Sequence, residues 1–126
     1  MMLVDTNIFV DYLRGYAPAV EFFESKLHII SNEVLFSAIT ETELVVGKDN
    51  TDATKREKLL HFLYSWNKVE VNNRIAVLAG DICRNYGLTI PDGIIAATAI
   101  LNGAELITKN VKDFRRVQNL KVRSPY

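Results

Sequence analysis

Four carboxylates, Asp5, Glu43, Asp92 and Asp113, stand where the chain's pattern changes from an apolar run or a loop to a helix. Asp5 closes the run Met2-Leu3-Val4 and opens Asp5-Thr6-Asn7, after which Ile8, Phe9, Tyr12 and Leu13 recur at helical spacing until Gly15. A short continuous hydrophobic run reads as a parallel strand buried on both faces. In open α/β sheets ligands bind just beyond the carboxyl ends of the strands, so an acid at such an end is placed for chemistry. Carboxylates gathered on one sheet edge raise one another's pKa unless a cation neutralises them. Oxygen-only donors select Mg2+ or Mn2+ over zinc, and such sites keep waters and bind substrate phosphates.

Each acid also has an ordinary local reading. Asp is a preferred N-cap, which suits Asp5 at the start of a helix. Thr40-x-x-Glu43 fits the capping-box pattern, in which Glu43 turns back to the Thr40 amide. Asp92 follows Pro91 and opens an apolar helix, where an acid complements the helix dipole. Asn110-x-x-Asp113 resembles a further cap with an acid three residues on. None of these explains why four such acids fall on one sheet edge with no buried base as partner, whereas a bound metal explains all four.

The elements that must position them alternate. Strand-like runs are Leu3-Val4, Val34-Leu35-Phe36, Val69-Glu70-Val71, Leu106-Ile107 and Lys121-Val122. Helical patterns lie between. Pro18 starts one with Val20, Phe23, Leu27 and Ile30 on one face; Leu59, Leu60, Phe62, Leu63 and Trp66 make a second stripe; Ile75, Leu78, Ala79, Ile82 and Tyr86 make a third. Ile94 to Leu101 is apolar almost all round and is expected to be central. Alternating β and α implies a mainly parallel sheet of four to five strands covered on both faces, a three-layer α/β/α fold. Residues 1–126 read as a single domain, with Lys48–Asp52 as a loop.

Equal numbers of basic and acidic residues, 15 each, give zero net charge and argue against a strongly cationic nucleic-acid binder. Cations are unevenly spread: Lys109, Lys112, Arg115, Arg116, Lys121 and Arg123 face only one acid, Asp113, in the last segment. A phosphate backbone meeting the acids would need cations there. No stretch approaches the roughly 18 apolar residues of a membrane-spanning helix. The first residues do not resemble a signal peptide, so a cytoplasmic location is expected. The single Cys83 lies on an apolar helical stripe and reads as buried filler.

Asp5-Thr6-Asn7-Ile8-Phe9, Ser37-Ala38-Ile39-Thr40-Glu41-Thr42-Glu43-Leu44, Ile90-Pro91-Asp92-Gly93-Ile94-Ile95-Ala96-Ala97-Thr98-Ala99 and Leu106-Ile107-Thr108-Lys109-Asn110-Val111-Lys112-Asp113-Phe114 resemble, in this order, the successive signatures of PIN-domain nucleases. Size and block order look most like the VapC toxins of bacterial and archaeal toxin–antitoxin pairs. The resemblance runs from Leu3 to Val122 and implies a PIN-like fold. It makes Asp5, Glu43 and Asp92 the core acids and gives Thr6 or Asn7, and Thr108, supporting hydrogen bonds. For the fourth acidic position it leaves Asn110, where many relatives carry an acid, or Asp113. Asp113 is the better choice, with Asn110 orienting it or a water. Gly93 stands where Ala is commoner.

The implied activity is Mg2+- or Mn2+-dependent endoribonuclease cleavage, with one metal or two. Arg14, Lys109, Arg115 and Arg116 are candidates to meet the RNA backbone. The resemblance also implies a homodimer held inactive by a VapB-like antitoxin. Alternatives are a PIN nuclease of RNA processing without an antitoxin, or a silent RNA- or protein-binding module, although no core acid is missing. A haloacid-dehalogenase-type phosphatase would need a second Asp where Asn7 stands, and no Gly-x-x-x-x-Gly-Lys-Ser/Thr phosphate loop is present.

Overall fold

A computed structural model describes residues 1–126. The short apolar runs form five strands, β1 (Met2–Val4), β2 (Val34–Ser37), β3 (Asn67–Val69), β4 (Glu105–Ile107) and β5 (Val122–Arg123), in the order β3-β2-β1-β4-β5. Every pairing is parallel. From β1 the chain winds outward through β2 to β3, then returns to the far side of β1 for β4 and β5. The winding direction therefore reverses between β1 and β4, and a crevice opens at the carboxyl ends of strands where such a reversal occurs.

Side chains alternate across the sheet, and two separate cores result. Leu3, Leu35 and Leu106 pack with α5 (Asn73–Tyr86) and α6 (Ile90–Leu101), together with Phe114 and Val117. Val4, Val34, Phe36 and Ile107 pack on the other face with Ile8 and Phe9 of α1 (Thr6–Leu13) and Leu44 of α3 (Ala38–Val45). Leu59 and Leu63 of α4 (Ala53–Leu63) complete that face. Phe9 is fully buried, with its ring centroid 5.2 Å from that of Phe23 and 6.1 Å from that of Phe36. Truncating it to Ala would cost on the order of 3–5 kcal/mol and loosen the helix that carries the first acid. The α6 helix is central as expected, with Ile95 to Ala99 buried.

Several local expectations are corrected. The third strand is Asn67–Val69 rather than Val69–Val71, because Val69 pairs with Ser37, the last residue of β2, and nothing extends the ladder beyond it. Instead, Val71 is exposed. The last strand is Val122–Arg123, one residue later than Lys121-Val122. The Pro18 helix is α2 (Ala17–Glu21), and it runs into a π turn over Phe22–Leu27 and a 3-10 stretch over His28–Glu33. The wider π spacing buries Phe22, Phe23 and Leu27, while Val20 and Ile30 are only partly covered. Lys48–Thr51 forms a 3-10 turn, pinned by Asn50 Nδ2 donating to the Leu44 and Gly47 carbonyls at 3.0 and 3.2 Å.

The α5 helix ends on Gly87 in the left-handed conformation, φ 68°, and two residues later Thr89 caps α6. Gly93 in the first turn of α6 is a close-approach position. A Cβ there would stand 2.3 Å from Cys83 Sγ and 3.0 Å from the Ala79 carbonyl oxygen. Its lack of a side chain lets α6 lie against α5.

Candidate active site

Asp5 leaves β1 at the reversal between β1 and β4 and does two jobs. Its Oδ1 accepts from the Thr6 amide at 2.7 Å, capping α1, and its Oδ2 accepts from Thr108 Oγ1, just past β4, at 2.7 Å. Thr108 Oγ1 in turn accepts from Asn7 Nδ2 at 3.3 Å and from the Asn110 amide at 3.0 Å. Asp5 is only 5% exposed. Burial drives its pKa upward, the two hydrogen bonds resist, and the charges of Asp92 and Glu43 add to the rise, leaving it at about 6.

Glu43 is not half of a capping box. The α3 helix starts three residues before Thr40 predicts, with Ser37 Oγ accepting from the Ile39 amide at 3.1 Å. This places Thr40 and Glu43 together inside the helix. Thr6 Oγ1 donates to Glu43 Oε1 at 2.7 Å and lies 2.9 Å from Thr40 Oγ1. Thr6 has one hydroxyl proton, and a carboxylate can only accept, so Thr40 must be the donor to Thr6. The chain Thr40 to Thr6 to Glu43 thus ties α3 to α1 beside Asp5.

Asp92 occupies the first turn of α6, its amide donating to Thr89 Oγ1 at 3.4 Å. It is half-buried. Burial raises its pKa, Thr89 opposes, and the negative charges of Glu43 and Asp113 raise it further. Asp113 is exposed on the short helix α7 (Val111–Phe114), its Oδ2 accepting from Asn110 Nδ2 at 3.0 Å. The Asn110 side chain holds the acid rather than capping α7, which has no side-chain cap.

Asp5, Glu43 and Asp92 line one cleft of about 340 Å³, together with Thr6, Asn7, Asn110, Arg14 and Lys109. Asp113 stands outside that lining but close enough to act on Asp92. In this arrangement no group of three or more His, Cys, Asp or Glu side chains is placed to hold a metal ion. The donor chemistry nevertheless fits a hard divalent cation, because the cleft's ligating acids offer only oxygens and Asp5 is buried with no basic side chain as partner.

The expected phosphate-contacting cations divide. Arg14 and Lys109 line the cleft. Arg115 is exposed outside the cleft lining, and Arg116 Nη2 donates to the Tyr86 carbonyl at 2.8 Å, bracing the end of α5. Sequence reasoning missed Asp11, 8% exposed in the cleft wall, whose Oδ2 meets Lys109 Nζ at 2.7 Å and Tyr126 Oη at 2.9 Å. Its signal was there: Asn7, Asp11 and Arg14 share one face of α1 at helical spacing. Nothing local flags Tyr126.

The PIN-domain family model matches residues 2–120. The chain is 32% identical to "Ribonuclease VapC19" of Mycobacterium tuberculosis, covering 96% of this chain and 98% of that protein. It is 29% identical to "Ribonuclease VapC1" of Rickettsia felis, over 96% and 93%. Among solved structures, a toxin–antitoxin complex from Klebsiella pneumoniae superposes with a TM-score of 0.83 at 32% identity, covering 100% of this chain and 98% of that one. VapBC2 from Rickettsia felis, bound to a DNA fragment from its promoter, gives 0.79 at 26% identity, over 98% and 97%. With an all-parallel sheet between two helical layers and its acids at the sheet reversal, the chain belongs to the PIN-domain family, in its VapC branch.

Proposed function

We propose that this protein is a metal-dependent endoribonuclease and the toxin of a VapBC-type pair. The observation that carries the reading is the convergence of Asp5, Glu43 and Asp92 from three separate elements on one cleft, with Asp5 buried and unneutralised. The names of its VapC relatives support it.

Asp5, Glu43 and Asp92 would hold Mg2+ or Mn2+, with Asp113 completing the acidic rim. When bound, the cation lowers the pKa of water and offsets negative charge on the phosphate. The protein's own groups do the rest. Thr108 and the Thr6 amide fix both oxygens of Asp5, and Thr6 fixes Oε1 of Glu43. A carboxylate oxygen of Asp92 or Asp113 that does not bind the cation would take or orient the proton of the attacking water. Water oxygen would bond to phosphorus as the bond from phosphorus to the 3′-oxygen breaks, and that oxygen would leave with a proton taken from solvent. The products are a 5′-phosphate and a 3′-hydroxyl. Arg14 and Lys109 stand at the cleft to meet the RNA backbone.

The partner is a small VapB-like antitoxin, the active form a homodimer and the location the cytoplasm. The toxin–antitoxin complexes among its structural neighbours support the first of these. No helix is long and apolar enough to cross a membrane. Ligation of an adaptor to RNA fragments generated by the protein tests the chemistry. Ligation that requires a 5′-phosphate should succeed without prior kinase treatment; fragments with 5′-hydroxyl ends would contradict the proposed bond cleavage.

A further inference from the structure

Building on the ribonuclease reading, we infer that Asp11 is a positioning residue that, with Tyr126, holds the Lys109 ammonium at the rim of the acidic cleft as a binding point for an RNA phosphate.

Lys109 is gripped at two points by one face of α1. Its backbone amide donates to Asn7 Oδ1 at 3.4 Å, and its Nζ donates to Asp11 Oδ2 at 2.7 Å, one helical turn further on. The Tyr126 hydroxyl donates to the same Asp11 oxygen at 2.9 Å, and the Tyr126 ring packs edge-on against Tyr16 at 5.6 Å. The chain beyond β5 is thus folded back over the end of α1. The Asp11 side chain is 11% exposed, whereas that of Lys109 is 45% exposed. The anion is sunk into the wall and the cation stands at the mouth. Burial alone would raise the Asp11 pKa, but the hydrogen bonds from Lys109 and Tyr126, together with the charges of Lys109 and Arg14, outweigh it and hold the pKa below the ordinary value.

A free lysine on a flexible stem loses rotamer entropy when it binds a phosphate, and pre-ordering removes part of that cost. Asp5, Glu43 and Asp92 repel an incoming strand, so a cation fixed beside them sets where the strand crosses. A purely structural ion pair tying α1 to the segment after β4 would act on stability instead. The two roles separate in a double-mutant cycle.

Initial rates on total bacterial RNA with Mg2+ or Mn2+ should give a lower kcat for Asp11→Asn, by about tenfold. Its KM should be unchanged or lower, because an anion has left the cleft wall. Lys109→Met should raise KM as well. Adding Asp11→Asn to Lys109→Met should change kcat no further. Tyr126→Phe, which keeps every charge, should follow Asp11→Asn more weakly. Additive losses in the double variant, or wild-type kcat in Asp11→Asn, would overturn the inference. An independent readout needs no cleavage: carbon-13 signals of labelled lysines, followed during titration with short single-stranded RNA of randomised sequence in EDTA. The Lys109 signal should shift in the wild-type protein, and a signal that stays fixed would overturn the inference even if RNA is cut. RNA left intact by the wild-type protein would instead count against the ribonuclease reading, with the Lys109 signal still deciding this one.

Discussion

Thr6 touches two of the acids: its amide caps onto Asp5 and its hydroxyl holds Glu43. Thr6→Val keeps the shape and deletes the hydroxyl, so Glu43 is released and Thr40 loses its acceptor. RNA cleavage should fall by more than about tenfold, with a stability loss of about 1–2 kcal/mol in urea titration, and Thr6→Ser should retain most of both. The Asp5 carboxyl titrates at about 6 in the fold against 3.8 for the free residue. Its folded value is raised, so the native state holds the proton more tightly than the unfolded chain, and stability falls as pH climbs from about 4 to about 6. The loss is at most about 3 kcal/mol. In EDTA the protein should melt higher at about pH 5 than at about pH 7.5, and Asp5→Asn should shrink that difference. Adding Mg2+ at the higher pH should recover stability. A melting temperature in EDTA that climbs over this interval would show that Asp5 is not strained by its burial. At this scale the positions of Asp5 and Asp92 were legible, because each stands where the chain passes into a helix, whereas Glu43 lies inside α3 and reaches the cleft from there. Their partners were less so. Thr40-x-x-Glu43 also occurs inside a helix that Ser37 caps, where it makes no capping box, and Asp11 finds Lys109 and Tyr126 only through the tertiary fold.

Gly93 shows how packing between elements constrains the site. An Ala here would press against Cys83 Sγ and the Ala79 carbonyl, forcing α6 and its Asp92 away from α5. Gly93→Ala should therefore destabilise the protein by about 1–3 kcal/mol and lower activity. Cys83→Ala, which removes the nearest atom, should restore part of both. Equal melting temperatures for wild type and Gly93→Ala would mean that α6 has room the structure does not show. The sequence pattern marked α6 as central because its apolar residues run all round, yet it could not show which residue faces α5. Element boundaries were legible to within a residue or two where an apolar run is bounded by polar residues, as at β1 and β4. They slipped at β3, where Val69-Glu70-Val71 has strand character but β2 ends opposite Val69. The π turn at Phe22–Leu27 was invisible, because helical periodicity assumes a constant rise.

At the scale of the whole molecule, zero net charge and an acidic cleft leave few cations where the proposed RNA substrate would enter. Of the four proposed from the sequence, Arg14 and Lys109 line the cleft, Arg115 lies outside it and Arg116 donates to the Tyr86 carbonyl. Sheet order explains the placement of the site better than composition does: the reversal between β1 and β4 sets Asp5 beside Thr108, and the parallel neighbours bring α3 and α6 to the same edge. The central claim is that these acids form one metal-dependent nuclease centre. Its most direct test is cleavage of total RNA by the purified protein in Mg2+ or Mn2+, beside the same reaction in EDTA and beside Asp92→Asn. Cutting that needs the metal and disappears in the variant is the predicted result. Cutting that persists in EDTA, or in Asp92→Asn at the wild-type rate, would contradict it.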